Sequence, residues 1–306
     1  MGKNEKLISV VVPVHNAEKF IEETIKSVLD QTYREYEIIV VDDGSTDRSI
    51  DIVKSVSSDI RVISQANRGC AAACTVGMKA AVGEFIQILG ADDILYARKF
   101  DNQMDIFVKN EDADGIFCDF VRFSTDLNNL KKFKRRKFLN RWKRKRKNLL
   151  GILLRGNIFQ AATPLIRKEW YEKVGYYDER LTNLEDWNAF MRMAQLGAKF
   201  YYLDEVLVGH RRHDENKSDN SSRMNRARIM ILDHFFQDFR SQYSDKAKRI
   251  ARSYGRLENA KLYRANHDYR MFRRDLYEAM RLNPFLLVRY PVLIWKYLRS
   301  YFKRKK

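Results

Sequence analysis

The chain has 306 residues, of which 45% are hydrophobic and 12% aromatic, and it carries a formal net charge of +18. That length holds about two domains of ~150 residues with a real core, and the apolar content excludes an intrinsically disordered chain. The excess positive charge is local. Residues 131–147 (KKFKRRKFLNRWKRKRK) contain twelve Lys and Arg and no acid, residues 279–306 contain eight and no acid, and the remainder is close to neutral. Three cysteines, Cys70, Cys74 and Cys118, cannot all pair and read as small buried side chains in a reducing compartment. The opening MGKNEKLISVVVPVHN is too short in its apolar stretch for a signal peptide, so no export is expected.

In chain order, Ile8–Pro13, Glu37–Val41, Ile60–Ser64 and Glu84–Leu89 are short continuous apolar runs, separated by stretches with helical spacing. Phe20, Ile21, Ile25, Val28 and Leu29 mark the buried face of a first helix. Ser45-Thr46-Asp47 opens a second. Residues 69–81 (GCAAACTVGMKAA) form a small-residue helix suited to close packing on a sheet. A fifth strand is expected at Gly115–Val121 and a helix from Glu185, with Trp187, Phe190, Met191 and Leu196 facing the core. The alternation predicts an α/β fold, a Rossmann-like, mostly parallel sheet flanked by helices, with ligands bound beyond the carboxyl ends of the strands.

Those ends are polar and acidic: His15-Asn16-Ala17-Glu18 after the first run, Asp42-Asp43-Gly44-Ser45 after the second, Gly90-Ala91-Asp92-Asp93 after the fourth. Neither GxGxxG after the first strand nor GxxxxGK[ST] anywhere is present, which excludes a dinucleotide fingerprint and a P-loop. A divalent metal held by carboxylates is then the simplest source of charge for neutralising a bound phosphate.

The segments SVVVPVHNAEKFIEETIKSVLDQTYREYEIIVVDDGSTDRSIDIV, NRGCAAACTVGMKAAVGEFIQILGADDIL and NLEDWNAFMRMAQLGAKFYYLDEVLVGHRRHDENKS together resemble the inverting nucleotide-sugar glycosyltransferases of family 2, which have the GT-A fold. The resemblance spans about residues 7–220. It implies a donor pocket in which Pro13, Val14, Asn16, Glu18 and Asp43 surround the nucleobase, and uracil N3–H, a donor, is met by a carboxylate. It implies Asp93 as ligand of Mg²⁺ or Mn²⁺, with Asp92 reaching the ribose or a metal-bound water. It implies Asp186 as the base, beside Glu185. His213 matches the histidine of a YRxHxxNxS element with Asn216 and Ser218 behind it, and Arg211 or Arg212 is placed to neutralise phosphate charge. The chain departs from the family pattern at Gly90, where the first Asp of a DxD motif is usual, at Cys74-Thr75, where Arg-Asn is usual, and at His15, which replaces a common Tyr.

The resemblance implies an enzyme that moves a sugar from a nucleoside diphosphate, favouring UDP, to a saccharide or lipid-linked acceptor in surface glycan synthesis. A polyprenyl-phosphate sugar synthase and a basic nucleic-acid-binding module on a degenerate transferase body are the alternatives. Recognition-helix, RRM and zinc patterns are lacking, so nucleic acid is not expected as partner. The expected organisation is a transferase domain at 1–220 with a basic insertion at 122–148, and a helical appendage at 221–306. Within the appendage, 284–302 mixes aromatics with Arg289, Lys296 and Arg299 and falls short of the ~20 apolar residues of a spanning helix. It is expected to lie on an anionic membrane surface, putting the protein peripherally on the inner face of the cytoplasmic membrane.

Overall fold

The computed structural model describes residues 6–124, 130–132, 149–213, 221–239 and 245–286. The chain divides into two compact units, one of residues 1–149 and 158–214 and the other of residues 150–157 and 215–306.

The first unit is built on one sheet. Strands β1 (Ile8–Val14), β2 (Tyr36–Asp43), β3 (Arg61–Gln65) and β4 (Phe85–Ile88) lie parallel in the order β3-β2-β1-β4. These are the four apolar runs of the sequence. Val10, Val11, Val12, Ile39 and Val40 are fully buried, the two-sided burial that a sheet covered by helices on both faces imposes. Helices α1 (Ile21–Leu29), α2 (Ser49–Val56) and α3 (Cys70–Ala80) connect them. The close approach expected of α3 is real. A Cβ on Gly77 would collide with Val11 Cγ1 and lie 3.1 Å from Val41 Cγ2.

Beyond β4 the sheet becomes mixed. After β5 (Ile94–Leu95), a strand of two residues, and α4 (Lys99–Lys109) comes β6 (Gly115–Phe123), so the strand expected fifth is the sixth. Strand β7 (Leu130–Lys132) pairs antiparallel with β6, and β8 (Pro164–Arg167) fits antiparallel between β4 and β6. Strand β9 (Phe200–Arg211) runs parallel to β6 and takes β5 on its far edge, antiparallel. Helix α6 (Lys168–Lys173) follows β8, and α7 (Glu185–Gln195) precedes β9. Trp187, Phe190 and Met191 are buried as the periodicity predicts, but Leu196 is 52% exposed because α7 ends one residue before it.

The second unit contains α5 (Leu149–Leu153, of which residues 150–153 belong to it), α8 (Ser221–Asp238), α9 (Asp245–Ala265) and α10 (Tyr269–Leu282). Helices α9 and α10 share a core of Tyr254, Leu257, Ala260, Phe272, Leu276 and Ala279. Asp268 caps α10 by accepting the Met271 N–H. The helical appendage expected from residue 221 is therefore joined by residues 150–157, where Arg155 lies 5.2 Å over the Tyr254 ring. Most of the expected basic insertion, and 287–302 of the expected interfacial helix, lie outside the described residues. Among the described residues, no helix is long and apolar enough to cross a membrane.

Candidate active site

The turn after β4, with Asp92 and Asp93, meets the end of β9 in an acidic cluster whose register is set by the sheet. Strand β5 follows Asp93 directly and pairs with β9 so that Ile94 lies opposite Gly209, which brings Asp93 beside the next residue of β9, His210. Asp93 is 3% exposed. Its Oδ1 lies 3.0 Å from His210 Nδ1 and accepts the Arg211 N–H at 3.0 Å, while Oδ2 accepts Gln160 Nε2 at 2.6 Å. Thr24, buried on α1, donates its hydroxyl to the carbonyls of Ala91 and Asp93 and ties the turn to the helix. Asp92 Oδ2 lies 3.0 Å from His213 Nε2, and the His213 ring rests on Phe20 with centroids 4.7 Å apart. Burial pushes the Asp92 carboxyl up from its ordinary range, and the charge of Asp93 adds to the effect.

Arg211 is 2% exposed. Its guanidinium bonds Glu23 and the Asp92 carbonyl, and it lies 5.0 Å over Phe20 and 4.5 Å over Phe123. That placement ties the guanidinium to the acidic turn.

The residues around Gly90 fit a hard divalent cation. Two neighbouring carboxylates in a buried turn repel one another, and a cation between them removes that repulsion. A Cβ at position 90 would lie 2.9 Å from Asp92 Oδ1 and 3.4 Å from Asp93 Oδ2, so a side chain there would crowd both carboxylates. Among the described residues, no group of three or more His, Cys, Asp or Glu is arranged to hold a metal alone. Such a cation would take its remaining ligands from water and from substrate oxygens.

The second cluster follows β1 and β2. Asp43 is 4% exposed; its Oδ1 accepts Gln65 Nε2 at 2.7 Å and the Arg68 N–H at 2.8 Å, and its Oδ2 accepts the Gly69 N–H at 2.8 Å. A carboxylate has about four acceptor directions, so one on Oδ2 remains. Pro13 is half-buried and Val14 buried at the end of β1. His15 Nδ1 lies 2.9 Å from the Asp43 carbonyl. Asn16, held at φ 51°, accepts the Thr46 N–H, and Glu18 accepts the Arg48 N–H. Asn16 and Glu18 thus join the turn after β1 to the turn after β2.

The third cluster opens α7. Leu184 takes the left-handed conformation, φ 62°, immediately before Glu185 and Asp186, a strained backbone of the kind that gathers at functional sites. Both acids are half-buried, and Asp186 Oδ1 accepts the Trp187 N–H. Tyr177 is buried beside Tyr171, the ring centroids 6.0 Å apart. Burial raises its pKa well above the ordinary value, and neighbouring Tyr171, Cys74, Asp186 and Glu185 add to the rise. Arg68, in the turn that bonds Asp43, reaches Glu179 at 2.6 Å and links this segment to the second cluster.

Sequence reasoning missed Gln160, Thr24 and Glu23, and gave His210 no role. Strand alternation on β9 would have placed His210 on the face of its partner strand's acids. Gln160 sits in an aperiodic loop and has no such signal.

An open α/β sheet whose strand ends present paired buried carboxylates, without a P-loop or a dinucleotide turn, is compatible with the GT-A fold. The sequence profile of Glycosyl transferase family 2 matches residues 9–175, and the chain belongs to that family. A glycosyltransferase of Rickettsia typhi is 30% identical over 219 residues, covering 70% of this chain and 67% of that protein. Across three rickettsial relatives the match spans between 38% and 67% of their length. In fold the chain is similar to Staphylococcus aureus TarS in complex with UDP-GlcNAc (TM-score 0.66, 17% identity, 90% of this chain and 81% of that one). It is also similar to the Pyrobaculum calidifontis mannosyltransferase PcManGT in complex with GDP-Man and Mn²⁺ (TM-score 0.58, 19% identity, 96% and 82%).

Proposed function

We propose that this family 2 glycosyltransferase moves a sugar from a nucleoside diphosphate, a UDP-sugar in preference, to a hydroxyl of a saccharide or lipid-linked acceptor, with inversion at the anomeric carbon. The observation that carries the reading is the Asp92-Asp93 pair, each carboxylate held by one histidine of the β9 end. The fold shared with proteins that hold UDP-GlcNAc, or GDP-Man with Mn²⁺, supports it.

In this reading the free acceptor direction of Asp43, with Pro13 and Val14, receives the nucleobase, and the braced turn at residues 90–93 faces the diphosphate. Asp93, with Asp92 beside it, would hold Mg²⁺ or Mn²⁺, which when bound stabilises the charge that develops on the leaving diphosphate. Asp186 takes the proton of the acceptor hydroxyl as that oxygen attacks, and Glu185 accompanies it at the first turn of α7. His213 presents its ring edge towards the phosphates while Arg211 positions the turn behind it.

The decisive experiment incubates the chain with UDP-sugars and Mn²⁺ and follows UDP release. Release that needs metal and disappears in Asp93→Ala supports the reading. Failure of calorimetry to detect binding of UDP or GDP, with and without metal, overturns it. The composition of residues 131–147 further supports work at an anionic membrane surface, where each basic residue contributes about 1 kcal/mol. Flotation with anionic vesicles that falls with salt is the expected result, and recovery of the whole chain in the soluble fraction at low salt refutes that placement.

A further inference from the structure

The helical unit contains a cavity of about 520 Å³ between α8, α9 and α10, within the range of small-molecule sites. At its wall Asp275 is 1% exposed. Its Oδ1 accepts from Arg256 Nη1 at 3.0 Å and Arg274 Nε at 3.1 Å, but its Oδ2 is buried and has no hydrogen-bond partner among the described residues. A carboxylate oxygen buried without a donor is costly, and such a group in a native structure asks for an explanation.

The chemistry around it narrows the occupant. An anion would bring acceptors to an oxygen that lacks a donor and would meet the negative charge of Asp275, while Asp233, which also lines the cavity, is paired with Arg252. A cation would meet the two guanidiniums that converge on Oδ1, with side chains 32% and 54% exposed. The lining carboxylates and guanidiniums balance in number. A neutral hydroxyl meets both needs, because it donates to Oδ2 and accepts from a guanidinium N–H that Asp275 leaves unused. Two such hydroxyls on adjacent carbons match the spacing of a carboxylate edge beside a guanidinium. Tyr263, Ile229 and Met230 supply apolar wall against which the C–H face of a ring can lie.

We propose that this cavity is a carbohydrate-binding site for a neutral pyranose, bound through vicinal hydroxyls by Asp275 and its arginines. The site belongs to the helical unit and requires neither donor nor metal, so it goes beyond the transferase reading and stands or falls separately from it.

The test is saturation-transfer difference NMR on the full chain, with saturating UDP present. The probes are methyl β-glucopyranoside and methyl β-galactopyranoside, against glucuronate, inorganic phosphate and spermidine. The expected result is signal from a neutral glycoside, weakened about tenfold in affinity by Arg274→Ala, which removes one of the donors, with UDP binding unchanged. Asp275→Asn removes a buried charge that two guanidiniums share, so it risks the fold. Ile229→Trp, which fills the cavity and leaves every charge in place, is the second variant and should abolish the signal. Absence of signal from both glycosides, meaning a cavity filled by water only, overturns the proposal. So does stronger binding of phosphate, glucuronate or spermidine, or a glycoside signal unaltered in Ile229→Trp.

Discussion

His210 Nδ1 lies 3.0 Å from Asp93 Oδ1, and the bond exists because β5 and β9 pair with Ile94 opposite Gly209. A residue three positions further, His213, repeats the arrangement on Asp92. Two histidines of one strand end therefore fix the orientation of two adjacent carboxylates. The two histidines lie more than a hundred positions away in sequence from the acids that they hold.

From this relationship, His210→Ala should weaken the Mn²⁺ dependence of UDP-sugar hydrolysis by about 10- to 100-fold in metal affinity, the usual cost of losing a group that orients a ligand. His210→Asn, which keeps a donor, should recover part of it. A metal titration monitored by UDP release reads the effect. An unchanged midpoint in His210→Ala would show that the histidine does not orient the acid.

How much of this was legible in the sequence depends on period. Strands β1, β2 and β4 announce themselves because both faces are buried along most of their length and each reads as a near-continuous apolar run, whereas β3 is an edge strand with Arg61 and Ser64 exposed. Asp92-Asp93 was visible as an acidic pair after such a run, and His213 as part of a motif. Strand β5 was not, since two residues carry no period, yet it is the strand that joins Asp93 to His210. Gln160 and Thr24 were invisible for a different reason: each acts through contacts made by tertiary packing, and neither its type nor its neighbours signal them. Phe20 was expected on the buried helix face. It is half-buried and lies between Arg211 and His213, so an apolar residue before α1 serves the site.

The sheet side of α3 gives a stability prediction. Gly→Ala inside a helix ordinarily gains about 0.8–1 kcal/mol. At Gly77 the added methyl would collide with Val11 and approach Val41, both fully buried, and overpacking a closed core costs about 1–3 kcal/mol. Gly77→Ala should therefore lower the urea midpoint, with the m-value unchanged. A raised midpoint would mean that α3 can move off β1.

Lys99 predicts a dependence on pH. Its side chain is fully buried among Gln87 and Gln103, and burial pushes its pKa down from 10.5 to about 8. Between those values the unfolded chain binds more protons than the folded one, so stability rises with pH. Cys118, raised by burial from 9.0 to about 11, acts in the opposite sense above pH 9. The clear window is pH 8 to 9, where Lys99 alone should add about 1 kcal/mol of stability. Urea melts at the two pH values check this, and Lys99→Met should remove the difference. A wild-type chain that loses stability across this window would show that Lys99 is not the titrating group.

Asp186 carries the mechanistic prediction. It stands at the first turn of α7 behind the left-handed Leu184, half-buried, with one oxygen accepting the Trp187 N–H and beside the tyrosine pair Tyr171 and Tyr177. In the role proposed for it, Asp186 acts on the acceptor hydroxyl and not on the donor. Asp186→Asn should therefore keep UDP-sugar affinity while transfer falls by ~10²–10⁴, the usual contribution of a general base. Glu185→Gln, which alters the neighbouring acid, should cost less. Calorimetry of donor binding and a transfer assay separate the two effects, and proton NMR of the product reports the anomeric configuration. Equal loss of binding and transfer would make Asp186 a donor-site residue, and a product of retained configuration would remove it as the base of an in-line displacement.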